Sequence, residues 1–164
     1  IALPWRMEST RRQPFFYAQF VIFHLGVAAV LAISFIIPFW PWMLEPAGVI
    51  ECFQVLMGGA ALIGVGRMLR RLRTPALRLI STADDLTSLF FMILYLALGV
   101  WAAPNEPLRS EVPLLAFFAA TTVFEIYAPF SKIGHYLFYP FTRTLLGRTL
   151  GHRGVVAAAR EEWL

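Results

Sequence analysis

Four long apolar runs, separated by short polar or proline-rich connections, dominate the pattern of the chain. They cover residues 15–38, 48–66, 86–103 and 112–128. Each run is close to the roughly 20 residues that cross the hydrocarbon core of a bilayer as a helix. The sequence therefore predicts an all-α fold, a multi-pass transmembrane helix bundle with about four spans. We expect one membrane domain over residues 1–164, with a short basic tail from about residue 143.

Local signals indicate where these helices begin, end and pack. The stretch STADD lets Ser81 or Thr82 cap a helix whose first turn carries two aspartates, to which we assign no catalytic role. Pro129 is expected to kink or end the last span. Small-residue faces in the second span let helices, or the plane of a haem, approach closely at Gly58, Gly59, Gly64 and Gly66.

Composition places the chain among membrane proteins. Of its residues, 59% are hydrophobic and only 15% are charged, whereas soluble domains average about 25% charged residues. Fifteen Phe and five Trp suit a lipid-facing surface with aromatic belts at its two interfaces. The single cysteine, Cys52, excludes a disulfide within the chain and a zinc or iron–sulfur site held by its cysteines. A metal would therefore be held by histidine, carboxylate or a cofactor ring.

The positive charges fix the expected orientation. With four spans, the basic groups before the first span, between the second and third, and after the fourth share one side, and only Arg109 lies opposite. Such a bias marks the cytoplasmic side. We expect the protein in the inner (cytoplasmic) membrane, with its basic loops and C-terminus in the cytoplasm. Topology and anionic lipid then explain the net charge of +4, which requires no nucleic acid.

Two histidines fall close to the basic side of the membrane. His24 lies about nine residues into the first span, roughly 14 Å of helix rise from its start, and His135 lies just past the end of the fourth. Two neutral imidazoles from different helices can supply both axial ligands of a b-type haem. The alternative is that His24 hydrogen-bonds a neighbouring helix and His135 is interfacial, and spacing alone favours neither. We expect His152, in the basic tail, to face solvent or lipid head groups.

Three separated stretches resemble one protein family. They are FHLG at 23–26, GGAALIGVGRMLRRLRTPALRLISTADDL at 58–86 and PFSKIGH at 129–135. Together they resemble the membrane cytochrome b (gamma) subunit of respiratory nitrate reductases. The related cytochrome b subunits of heterodisulfide-reductase-type and sulfite-reduction-associated complexes look similar too. The resemblance covers about residues 13–150 and keeps the order and approximate spacing of the spans.

The resemblance implies a subunit that passes electrons between membrane quinol and an iron–sulfur protein docked on the cytoplasmic face. The family's bundle usually holds two stacked b haems, the proximal one near the cytoplasmic face and the distal one near the outer face. Each haem is held by one histidine from an early helix and one from the last helix. His24 and His135 align with the proximal pair, so the resemblance implies that they ligate haem iron.

The chain departs from the family at the distal pair. Ser34 and Phe117 stand where the family has its distal histidines, and neither can ligate haem iron. We therefore expect one haem b near the cytoplasmic face and apolar packing in the distal space. The family's quinol-site lysine is also absent, because Ile50 and Glu51 occupy that neighbourhood. Quinol oxidation at the outer side does not follow from the resemblance, nor does transmembrane charge separation.

Three polar residues have a functional and a structural interpretation. Glu125 lies inside the fourth span, where a carboxyl group is costly unless it is protonated or paired. It either carries protons to or from a quinone or is a neutral carboxyl bonded to Gln19, Gln54 or a backbone carbonyl, and we favour the structural role. Lys132 and Arg67 are candidates for contacts with haem propionates, and lipid phosphate or a docked partner explains them equally well.

The sequence thus favours a membrane-anchoring b-type cytochrome subunit with one haem b, and a bound quinone is a second candidate ligand. Its expected partners are a cytoplasmic iron–sulfur or redox subunit, quinone or quinol, and membrane lipid. The alternative is a haem-free membrane anchor or assembly subunit of a respiratory complex. A transport or channel protein is disfavoured because only Glu125 and His24 lie deep in the spans. The family usually has another helix ahead of the first span, and residues 1–13 are too polar and short to supply it.

Overall fold

The chain folds into helices joined by short connections. The computed structural model describes residues 12–150, and no strand occurs in that range. Three short 3-10 turns lie at Pro41–Leu44, Ala128–Phe130 and Lys132–Gly134. The α-helices of the described range are α1 Pro14–Phe39, α2 Val49–Arg73, α3 Pro75–Ile80, α4 Ala83–Ala102, α5 Val112–Tyr127 and α6 His135–Leu150.

Four helical stretches within residues 12–150 are long and apolar enough to cross a membrane. They are α1, α2, α4 and Val112–Phe130, which begins with α5. Their outward faces expose many large apolar side chains, among them Phe15, Leu62 and Phe90, as expected of surfaces that face lipid. The predictions of an all-α fold and of four spans are confirmed, and the chain is a multi-pass membrane protein.

The second spanning helix continues beyond its predicted end at residue 66. It ends at Arg73, so four of the five arginines that the sequence placed between the second and third spans lie in the last two turns of α2, and the fifth, Arg78, lies in α3. Arginine is a good helix former, and positive charge near a helix C-terminus interacts favourably with the helix dipole. The loss of hydrophobicity after residue 66 therefore ends the apolar run without ending the helix.

The connection from α2 to α4 is held by polar contacts. Thr82 is the N-cap of α4, where its hydroxyl accepts a hydrogen bond from the backbone N–H of Asp85 and the Asp85 carboxylate accepts one from the backbone N–H of Thr82. This capping box confirms the predicted helix start. Arg71 donates to the hydroxyl of Ser81 at 3.0 Å and lies 3.9 Å from the Asp85 carboxylate. These bonds fix the basic end of α2 against the start of α4.

Helices α1, α2 and α4 pack closely around two glycines. A Cβ atom on Gly26 of α1 would overlap the Cβ of Ala60 on α2 and lie 2.6 Å from the carbonyl oxygen of Leu56. A Cβ on Gly99 of α4 would lie 2.6 Å from a methyl group of Val30 and 2.9 Å from the sulfur of Met57. Glycine is required at Gly26 because the backbone of α2 lies too close for any side chain. At Gly99 the space for a Cβ is occupied by the side chains of Val30 and Met57.

The described chain forms two compact units, of which the first extends to Ile126 and the second begins at Tyr127. The core of the first unit contains side chains with less than 2% exposure from several helices, namely Val30, Ile33, Met57, Tyr95, Leu96 and Phe117. At the boundary α5 ends at Tyr127, and Pro129 lies in the 3-10 turn that follows. Of the two predicted effects of Pro129, a kink or an end of the last spanning helix, the structure shows the second, since the α-helix ends two residues before it and a 3-10 turn follows.

Candidate histidine site

His24 lies on the exposed face of α1 with its ring held by its own helix. Its Nδ1 atom is 2.8 Å from the carbonyl oxygen of Phe20, and the two rings are tilted by 39° with their centroids 4.0 Å apart. A carbonyl oxygen only accepts hydrogen bonds, so Nδ1 is the donor in this contact, and in a neutral ring Nε2 then carries the lone pair. The structural alternative predicted a hydrogen bond to a neighbouring helix, whereas the observed partner lies one turn earlier on α1.

His135 is the first residue of α6, in the second unit, and makes the same kind of hydrogen bond. Its Nδ1 atom lies 2.9 Å from the carbonyl oxygen of Lys132 and is the donor in that contact, so a neutral ring has its lone pair on Nε2. The turn before it is shaped by Ser131, whose hydroxyl accepts from the backbone N–H of Ile133 and donates to the carbonyl of Ala128. The local fold therefore presents an exposed imidazole whose ring is oriented by a backbone carbonyl.

Each histidine has one of the predicted basic residues beside it within its own unit. The guanidinium carbon of Arg67 lies 5.3 Å from the centroid of the Phe23 ring, which meets the ring of His24 edge-on at 6.0 Å. Arg67 is half-buried. Lys132 is exposed and supplies the carbonyl that orients His135. Phe23 therefore lies between Arg67 and His24, and Lys132 contacts His135 through its backbone carbonyl.

Apolar packing occupies the position where the family has a distal ligand on the last helix. Phe117 is fully buried and stacks on Tyr95 with ring centroids 5.5 Å apart, and Tyr95 stacks on Phe124 at 4.9 Å. Ser34, the counterpart on the first span, is half-buried and donates its hydroxyl to the carbonyl of Leu31 at 2.7 Å. Phe117 is therefore packed among aromatic rings, and the account of this position as a lost haem site stays a prediction.

Glu125 and Glu51 lie outside the core. Glu125 is exposed on α5, and Gln54, one of its predicted partners, donates its side-chain N–H to the carbonyl of Val100 at 3.1 Å. Both interpretations of Glu125 stay predictions. Glu51 is exposed in the first turn of α2, where a negative charge interacts favourably with the helix dipole.

Other metal centres find little support in the described part of the chain. Residues 12–150 contain no group of three or more His, Cys, Asp or Glu side chains placed to hold a metal ion. A haem iron takes two axial ligands from the protein, so this observation does not bear on the histidine pair. His152 lies outside the described residues, as do the basic residues Arg6, Arg11, Arg153 and Arg160.

Sequence reasoning missed the two aromatic residues that surround His24. Phe20 supplies both the carbonyl and a neighbouring ring, and Phe23 lies between His24 and Arg67. The contact of Phe20 with His24 could have been predicted from the sequence, because residues four apart lie on one face of a helix. The contact of Phe23 with Arg67 could not, because it depends on how α1 and α2 are aligned along their axes.

Comparisons with known proteins leave the family open. The chain matches no protein-family model, no curated protein and no solved structure. The class of the molecule, a multi-pass α-helical membrane protein, follows from its helices. The resemblance to cytochrome b subunits stays a prediction that rests on the three stretches quoted above.

Proposed function

We propose that the chain is a membrane-anchoring b-type cytochrome subunit. It passes electrons between the quinone pool and an iron–sulfur redox module docked on the cytoplasmic side. His24 and His135 are the axial ligands of a single haem b, and Arg67 and Lys132 contact its propionates. Bound haem supplies the one-electron chemistry, and the partner module supplies the terminal donor or acceptor.

The observation that carries this proposal is the shared hydrogen-bond geometry of the two imidazoles. Each donates its Nδ1–H to a backbone carbonyl, at Phe20 for His24 and at Lys132 for His135. A metal-binding imidazole must be neutral, with one nitrogen unprotonated, and a hydrogen bond from its other nitrogen fixes the ring and raises its basicity. The donor set therefore fits a haem iron, and both residues belong to stretches that resemble the family.

The basic residues beside the histidines suit the anionic edge of a haem. A half-buried guanidinium such as that of Arg67 forms strong, directional hydrogen bonds with carboxylates. The concentration of arginine and lysine on one side of the four spans supports a cytoplasmic position for that side in the inner membrane. A soluble redox partner on that side can then reach the haem.

Single substitutions of the histidines test the proposal. His24→Ala and His135→Ala are each expected to abolish haem binding while the protein still inserts in the membrane, because a b haem held by two imidazoles loses an axial ligand. His152→Ala is the matched control and is expected to keep its haem. Haem content is read from the spectrum of each purified variant, and a full complement in either of the first two contradicts the ligand assignment.

A haem-free membrane anchor or assembly subunit is the second candidate. The packing of Phe117 against Tyr95 favours it, because a bundle that has filled its distal position has already lost part of the family's redox machinery. An optical spectrum separates the candidates, since only the cytochrome shows the absorption bands of a b haem.

A further inference from the structure

A groove of about 820 Å³ opens on the first unit between the start of α1, the second half of α2, and α3. Its walls are apolar and include Phe16, Phe20, Leu62 and Ile63. Its basic lining consists of three arginines, Arg67, Arg70 and Arg71. Leu62 precedes Arg70 by eight residues along α2, or about 12 Å of helix. The groove therefore combines a positive end with an apolar end that runs into the span.

No carboxylate lies among the residues that line the groove, so its arginines have no acidic partner within the lining. Arg71 is fixed by Ser81 and Asp85 at the start of α4. Arg67 and Arg70 are each held over an aromatic ring of α1, with the guanidinium carbon of Arg70 4.9 Å from the centroid of Phe16. Within residues 12–150 neither of these two arginines has an ion-pair partner. The groove thus presents oriented guanidinium groups to an anion.

We propose that this groove binds one anionic phospholipid of the adjacent leaflet. The lipid phosphate lies against Arg70, and the acyl chains lie along Leu62 and Ile63. Basic pockets between membrane-spanning helices are suited to anionic head groups. The apolar walls of the groove can pack against acyl chains, which a lipid has and a soluble phosphate lacks. The proposal does not rest on the haem, since Arg70, Leu62 and Ile63 have no part in the proposed haem site.

Lipid retention by the full-length protein tests the proposal. The protein is reconstituted in vesicles of equal parts phosphatidylglycerol and phosphatidylcholine, extracted in mild detergent, and its bound lipids are counted by native mass spectrometry. The wild type is expected to retain phosphatidylglycerol in preference to phosphatidylcholine. Arg70→Gln is expected to lower that retention about fivefold, the effect of one cation on an anionic head group. Arg73→Gln removes the same charge from the same helix outside the groove and is expected to change it less than twofold.

A second variant tests the apolar part of the groove without changing its charge. Gly66 lines the groove, and a Cβ atom added there would meet no atom within 4 Å. Gly66→Leu therefore fills the groove without a clash and is expected to remove the bound phosphatidylglycerol. Val65→Leu enlarges the neighbouring exposed position and is expected to leave lipid retention unchanged.

Four results would overturn the proposal. Equal losses in Arg70→Gln and Arg73→Gln would indicate diffuse attraction to a charged surface, and equal retention of the two lipids would exclude recognition of the anionic head group. Full retention in Gly66→Leu would place the lipid outside the groove. Inorganic phosphate that displaces the lipid completely would assign the arginines to a soluble anion. Repeating the measurement on His24→Ala separates this test from that of the haem, because lipid retention is expected to be the same in that variant.

Discussion

The contact between α1 and α2 at Gly26 makes a strong prediction about stability. In Gly26→Ala the new Cβ would lie 2.6 Å from the carbonyl oxygen of Leu56 and would overlap the Cβ of Ala60. Neither atom can rotate away, because one belongs to the backbone and the other is fixed to it. Since carbon contacts are most favourable near 3.5–4.0 Å, the helices must separate by about 1 Å. A gap of about this size forfeits a quarter to a half of the dispersion energy of the contacts it opens.

The expected magnitude follows from comparison with Gly66→Ala, the matched control. Both variants replace a helical glycine by alanine and so share the gain of about 1 kcal/mol in helix propensity. The new Cβ at Gly66 would meet no atom within 4 Å, so this variant is expected to be as stable as the wild type or slightly more stable. Overpacking typically costs about 1–3 kcal/mol. We therefore expect the free energy of unfolding of Gly26→Ala to lie about 1–3 kcal/mol below that of Gly66→Ala.

Reversible unfolding in mixed micelles measures this difference. Sodium dodecyl sulfate is titrated into the protein in mild detergent, and tryptophan fluorescence reports the fraction unfolded for each variant. A lower midpoint for Gly26→Ala supports the close crossing. Equal midpoints for the two variants would show that α1 and α2 do not approach as closely as described, and the packing argument would be wrong.

Three further substitutions test other parts of the account. Phe117→Ala is expected to lower the free energy of unfolding by about 3–5 kcal/mol because a fully buried ring is lost, whereas the exposed Phe90→Ala should change it little in the same titration. Thr82→Ala removes the capping box of α4 and is expected to cost about 0.5–2 kcal/mol, with a wild-type midpoint arguing against the cap. Glu125→Gln is expected to assemble normally and to slow quinone-linked turnover if the carboxyl carries protons, so unchanged turnover would assign it a structural role.

The spans could be predicted because length and hydrophobicity alone determine whether a segment can cross a bilayer. The end of α2 could not be placed by the same criterion. Arg67, Arg70 and Arg73 reduce hydrophobicity, which marks the edge of the membrane, but they favour helix. The edge of the apolar run and the end of the helix are separate properties, and the sequence pattern reports only the first.

Contacts of the candidate site that lie within one helix could be predicted from the sequence, whereas contacts between two helices could not. The helical spacing of Phe20 and His24 places both on one face of α1, so their contact could have been found from the pattern. The position of Arg67 over Phe23 depends on how α1 and α2 are aligned along their axes. That alignment is set by the crossing of Gly26 with Ala60, a tertiary contact that no local pattern encodes.

The central claim is that this chain holds one b haem. The direct measurement is the number of haems per polypeptide in the purified protein, by pyridine haemochrome assay, together with the reduced-minus-oxidised spectrum. We expect one b haem per chain in the wild type and no haem in His24→Ala or in His135→Ala. A purified, membrane-inserted protein without haem would contradict it and would leave the chain as a membrane anchor.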